Sequence, residues 1–121
     1  MASLGMGSPY EFSAVSVDKQ VTKTSPGNYA LGYIQETEKG NEFIVLYVGR
    51  SDTNVRDRLK QHLDEDDRYT HFKYSYATSP KAAFEKECIN YHDFRLPNNK
   101  YHPDRPARTH WKCPRCGQFD D

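Results

Sequence analysis

The chain has 121 residues, with 17 Lys and Arg against 17 Asp and Glu and a formal net charge of 0. That length suits one domain with a modest core, and the charge balance excludes a global pull toward nucleic acid or a membrane surface. No run approaches the ~20 apolar residues of a membrane helix, no basic start followed by an apolar block marks a signal peptide, and 3 cysteines exclude a disulfide framework and point to a reducing compartment, the cytoplasm.

Residues 1–12 lack periodicity and read as a leader outside the fold, vector-derived or disordered. Residues 13–25 mix Ser, Thr, Val and Lys and read as an arm or a short leading strand. Pro26-Gly27-Asn28 is a turn signal. Tyr29, Leu31 and Tyr33 then alternate as one face of a strand. A polar connection, Glu36 to Asn41, leads into the apolar strand 43–48, so the two strands predict a hairpin with the second strand buried. Tyr47-Val48-Gly49-Arg50-Ser51 stands where that strand runs into a turn, a place where side chains are held rigidly at the rim of a core.

Ser51, Asp52 and Thr53 are candidate N-caps for a helix from about Asn54 to Leu63, in which Val55, Leu59 and Leu63 face the core and Arg58 and His62 share an adjacent face. The acidic run 64–67 reads as a solvated loop. Phe72, Tyr74 and Tyr76 alternate as a third strand. Ser79-Pro80 is an N-cap with Pro at the first helical position, so a helix is expected from Pro80 to about Phe94, ended by Pro97. The order β-β-α-β-α predicts an α+β domain on a small, mainly antiparallel three-stranded sheet flanked by helices, with an irregular tail from residue 100 to 121.

The tail holds a knuckle, Cys113-Pro114-Arg115-Cys116. Cys88 and His92 lie four apart on the last predicted helix and project from one face. Together the two pairs supply the thiolate and imidazole ligands of a closed structural Zn²⁺ site, Cys88, His92, Cys113 and Cys116, with His102 or His110 as alternatives to His92. Such a site would hold down a Pro-rich tail that has few apolar residues of its own.

At this point the chain resembles the GIY-YIG nuclease family. Gly27-Asn28-Tyr29 matches the first half of the motif and Tyr47-Val48-Gly49 the second, with Asn28 where the family usually has Ile or Val. Arg58 and His62 stand in an Arg-x-Arg-Leu-x-x-His run, Ala83-x-x-x-Glu87 matches the later helix with its acidic residue, and Asn98 or Asn99 matches an Asn beyond it. The resemblance covers residues 26–99. It implies a metal-dependent endonuclease hydrolysing phosphodiester bonds, with DNA the expected substrate. In that reading Tyr29 is the general base, Tyr47 and His62 orient water and phosphate or share the proton, Arg58 stabilises the phosphate and Glu87 holds Mg²⁺ or Mn²⁺. Arg50, Ser51, Asn99 and Lys100 are candidate substrate contacts. Glu85 competes with Glu87 for the acidic role, and the helical period favours Glu87, which lies in line with Ala83. The alternative is an inactive module of the same kind that binds nucleic acid or protein.

Charge within the neutral chain is uneven. Residues 94–116 carry Arg95, Lys100, Arg105, Arg108, Lys112 and Arg115 against Asp104, interleaved with Tyr101, His102, His110 and Trp111. Such a mixture suits phosphate neutralisation and base stacking, or equally a surface strap with solvated charges.

Overall fold

The computed structural model describes residues 4–119. Along the chain lie β1 (Tyr10–Glu11), α1 (Ala14–Gln20), β2 (Gly27–Thr37), β3 (Gly40–Ser51), α2 (Val55–Lys60), β4 (His71–Tyr76) and α3 (Pro80–Phe94). The strands form one antiparallel sheet in the order β1-β4-β2-β3. The fold is α+β with four strands and three helices, one strand and one helix more than the sequence pattern predicts.

Both additions come from the N-terminal segment. Residues 4–12 belong to the fold rather than to a leader: Leu4 and Met6 are buried against Ala30 and Val48, and β1 pairs with β4. Residues 14–20, expected as an arm or strand, are helical. Ser13 caps them by accepting from the backbone of Ser16 at 3.1 Å, and Val17 and Val21 bury one side. β-Branched Val disfavours a helix intrinsically, so tertiary burial decides this element.

Alternation along β2 separates two cores. Tyr29 and Leu31 face α1 and α2, packing with Val17, Val21, Val55 and Leu59. Asn28 and Ala30 face the other way, where the Asn28 amide donates to the carbonyl of Ala83 in α3 and Ala30 packs with Val48. A register shift between Leu31 and Gly32 leaves Leu46 as the extra residue of β3, so Leu46 joins Tyr47 on the α2 side.

The hairpin strands run further than expected. They reach Thr37 and restart at Gly40, leaving Glu38 and Lys39 as the turn. Contrary to the prediction of a buried strand, β3 is an edge strand, and Phe43, Ile44 and Val45 are half-buried while Leu46 and Val48 are buried. Helix α2 is shorter than predicted. Its N-cap is Asn54, not Ser51, Asp52 or Thr53, and it tightens after Lys60 through bonds such as His62 N–H to Leu59 C=O at 3.0 Å. Helix α3 spans Pro80–Phe94 as predicted, capped by Ser79 and ended by Arg95 in the left-handed region (φ 48°). Among the described residues no helix is long and apolar enough to cross a membrane.

Candidate active site and metal centre

Several of the predicted residues meet at the outer edge of β3. Tyr47 and Arg50 are an odd number of positions apart, so they leave the strand on opposite faces, Tyr47 toward α2 and Arg50 toward α3. Residues 98 and 99 run along the outer edge between them. Asn98 N–H donates to Leu46 C=O at 3.2 Å. The Asn99 side chain accepts from Val48 N–H and donates to Val48 C=O, both at 2.9 Å, as a neighbouring strand would. An open pocket of about 400 Å³ wraps this edge, walled by Tyr47, Arg50, Arg58 and Glu87 and closed by the 98–104 segment, including Lys100.

On the α2 side, Tyr29 is fully buried and its hydroxyl lies 2.7 Å from His62 Nε2. His62 Nδ1 lies 2.9 Å from Glu65 Oε2. A carboxylate only accepts, so Nδ1 carries the proton, Nε2 is the acceptor and the Tyr29 O–H donates to it. The Tyr47 ring packs on both, its centroid 6.3 Å from Tyr29 and 5.2 Å from His62. Burial raises the Tyr29 pKa well above the phenolic value, the nearby Tyr47 adds to this, and the positive charge of Arg58 opposes it. Burial lowers the His62 pKa and Glu65 opposes that shift. Gly49 is required by close approach: a Cβ there would fall 2.4 Å from the Tyr29 hydroxyl oxygen.

On the α3 side, Arg50 is the hub. It donates to Glu87 at 2.5 Å, to Asp52 at 2.9 Å and to the Asp104 carbonyl at 2.7 Å, and its guanidinium lies 5.1 Å over the Phe84 ring. Glu87 is 9% exposed, and burial raises its pKa against the opposing charge of Arg50. Glu85 lines a different cleft with Lys81 and Trp111, whereas Glu87 lines this pocket together with Asp52 and Asp104. Ser51 is not at the pocket: its hydroxyl accepts from the backbone of Thr53 and Asn54 and shapes the entry to α2.

The tail does bring together a metal-ligating group, with one change of membership. His92, His102, Cys113 and Cys116 place their ligand atoms within 4.8 Å of one another and could hold a metal ion such as zinc. Tetrahedral zinc spaces its N and S ligands roughly 3.3–3.8 Å apart, and His102 Nε2 lies 3.4 Å from Cys116 Sγ. Two further features fit a cation. His92 Nε2 is buried with no hydrogen-bond partner, and His102 directs Nδ1–H at the Pro103 carbonyl (2.9 Å), freeing Nε2. Cys88, expected as a ligand, lies outside this group. It is fully buried with Phe84 and Cys113, and burial pushes its thiol pKa far up. His102 takes its place rather than that of His92, and His110 faces the Trp111 cleft.

Sequence reasoning misses Glu65, which it assigns to a solvated acidic run, and the second role of His102, which lines the pocket as well as the metal group. Comparison of the chain with protein-family models, with curated proteins and with solved structures finds no match.

Proposed function

We propose that the chain is a metal-dependent endonuclease of the GIY-YIG type, hydrolysing phosphodiester bonds of nucleic acid, with DNA the expected substrate. The observation that carries this is convergence. Tyr47, Arg50, Arg58 and Glu87, from two strand-end positions and two helices, wall one pocket, with the Tyr29–His62–Glu65 chain directly behind Tyr47. The pocket gathers cations for phosphate and a buried carboxylate, and the proton acceptor lies behind its Tyr47 wall; these are the groups that hydrolysis of a phosphodiester needs.

In this reading Arg58 binds the non-bridging phosphate oxygens with its planar fork. Arg50 adds charge from the other wall and holds Glu87 in place through one carboxylate oxygen. Glu87 would hold a Mg²⁺ or Mn²⁺ ion, a fit for a cation that takes one or two carboxylates plus substrate oxygens and supplies charge neutralisation at the phosphate. As the attacking water gives its proton to the Tyr29 oxygen, Tyr29 passes its own proton to His62 Nε2, and Glu65 stabilises the imidazolium that forms. The new P–O bond forms as the bond to the leaving oxygen breaks, and that oxygen takes a proton from solvent. Tyr29 is fully covered here, so the step requires its hydroxyl to become accessible to the attacking water. Lys100 extends the cationic wall. The four-residue metal group would bind zinc and act structurally, pinning the tail that closes the pocket.

The alternative, an inactive binding module, draws on the Arg50–Glu87 pair and the covered Tyr29. A cleavage assay with Mg²⁺ or Mn²⁺ on wild type, Arg58→Ala and Glu87→Gln separates the two: cutting lost in both folded variants supports the nuclease, and no cutting by wild type on any substrate leaves the module.

A further inference from the structure

The structure sorts the tail cations into two kinds. Arg105 donates to the carbonyls of Trp111 (3.1 Å) and Phe119 (3.3 Å), and Arg115 pairs with Asp93 at 3.0 Å, so both hold the tail together. Arg108 and Lys112 do not. They converge with Lys81 of α3 on a second open cleft of about 640 Å³, separate from the pocket at the β3 edge and also lined by His110, Trp111 and Glu85. Lys81, Arg108 and Lys112 are all exposed. Among the described residues none of them makes a side-chain hydrogen bond or ion pair. In a chain of zero net charge, this cleft therefore gathers three cations, unpaired among the described residues, with one carboxylate, beside a half-buried indole.

The cleft and the pocket at the β3 edge share one packing neighbour, Phe84. The Trp111 ring lies 5.7 Å from Phe84, and the same Phe84 ring carries the Arg50 guanidinium at 5.1 Å. Lys81 and Glu87 are on one helix, six residues apart, which is about 9 Å of axial rise. A nucleic-acid strand advances about 3.4 Å per nucleotide, so that rise is on the order of two to three nucleotides. We infer that the Lys81–Arg108–Lys112 cleft is a second nucleic-acid contact, which binds backbone phosphates about two to three nucleotides from the bond held at Glu87. Trp111 offers an edge or face to the neighbouring base. The assignment rests on the nuclease reading for its distance from the cut bond, but not for its chemistry. It gives a chain with no overall positive field a local means to hold its substrate, and it makes affinity depend on substrate length.

The test uses the full chain, a fluorescently labelled 12-nucleotide single strand and Ca²⁺ in place of Mg²⁺, with binding followed by anisotropy across a salt series. Lys81→Ala/Arg108→Ala/Lys112→Ala is compared with wild type after thermal melts establish that both are folded. The expected result is a Kd at least about tenfold weaker and a log Kd against log salt slope reduced by about two, at ~0.7 per lost phosphate contact. Lys81→Arg/Arg108→Lys/Lys112→Arg should restore the slope. In cleavage, KM should rise by a similar factor for the triple-alanine protein on the long strand, with no such difference on a strand ending at the first nucleotide beyond the cut. Unchanged affinity and slope would overturn the assignment even if wild type cuts, leaving the nuclease intact. A lowered slope in a protein that never cuts would keep the cleft as a nucleic-acid site and remove the nuclease reading. Polyglutamate displacing the strand from wild type as well as unlabelled DNA does would overturn the phosphate assignment in favour of acidic protein.

Discussion

The hydroxyl of Tyr29 meets Nε2 of His62 at 2.7 Å, joining the first residues of the central strand β2 to the turn that ends α2. The contact is buried on both sides and continues from Nδ1 to Glu65 at 2.9 Å. It gives the buried phenol one proton acceptor and fixes which ring nitrogen plays that part. Losing the partner of a buried hydroxyl costs about 1–3 kcal/mol, so His62→Ala should lower the unfolding free energy by that order as well as cleavage. A denaturant melt checks the first effect.

The pH response follows from the same chain. Burial holds the folded His62 pKa below its ordinary value. Below about pH 6.5 the unfolded chain therefore takes up a proton that the folded chain refuses. This contribution to stability is full above that pH and declines below it, until the folded pKa is reached. In the proposed mechanism cleavage needs neutral His62, so its acid limb should lie below about 6.5. Glu65 works against the burial shift. Glu65→Gln should consequently move both the NMR titration of His62 and the acid limb of kcat to lower pH. A solvated Glu65 would leave both unmoved.

Gly49 lies under the Tyr29 hydroxyl, where a methyl group would come within 2.4 Å of the oxygen. Gly49→Ala should force Tyr29 away from His62 at a cost of about 1–3 kcal/mol, as overpacking a buried contact does. The expected reading is a lowered Tm together with a changed His62 titration. A stability equal to wild type would mean that the ring has room to move.

The metal group makes a prediction that separates two ligand sets. Protein purified without chelator should carry about one zinc per chain, by the four-ligand geometry. Cys88→Ala should keep that zinc, whereas His102→Ala and Cys113→Ser should lose it and loosen the tail. Zinc release from folded protein on thiol modification, measured colorimetrically, distinguishes these. Retention in His102→Ala with loss in Cys88→Ala would restore the ligand set that helical spacing suggests. Because Asp104 C=O holds Arg50 and His102 lines the pocket, removing the metal should also lower affinity for substrate.

Much of this architecture is legible from pattern alone. Alternation places Tyr29 with Leu31, the Ser79-Pro80 pair marks the start of α3, and the helical period puts Glu87 rather than Glu85 at the pocket. What is not legible depends on long-range placement. Helix α1 has weak propensity and exists because Val17 and Val21 are buried by other elements. Glu65 is one of four consecutive acids and is singled out only because the tightened turn after α2 swings it back to His62, with Glu65 N–H bonded to His62 C=O at 3.2 Å. Cys88 and His92 share a helix face, but the core claims Cys88 through Phe84, and the irregular tail supplies His102 instead. No local period reports the path of residues 98–104.

The central claim is that Tyr47, Arg50, Arg58 and Glu87 form one hydrolytic site. It is tested most directly by incubating wild type, Arg58→Ala and Glu87→Gln with labelled supercoiled, duplex, branched and single-stranded DNA and Mg²⁺ or Mn²⁺. The account predicts metal-dependent cutting of at least one substrate by wild type, and a fall of about 10²–10⁴-fold in kcat for each variant with folding intact. Cutting that survives both substitutions, or none by wild type on any substrate, would contradict it.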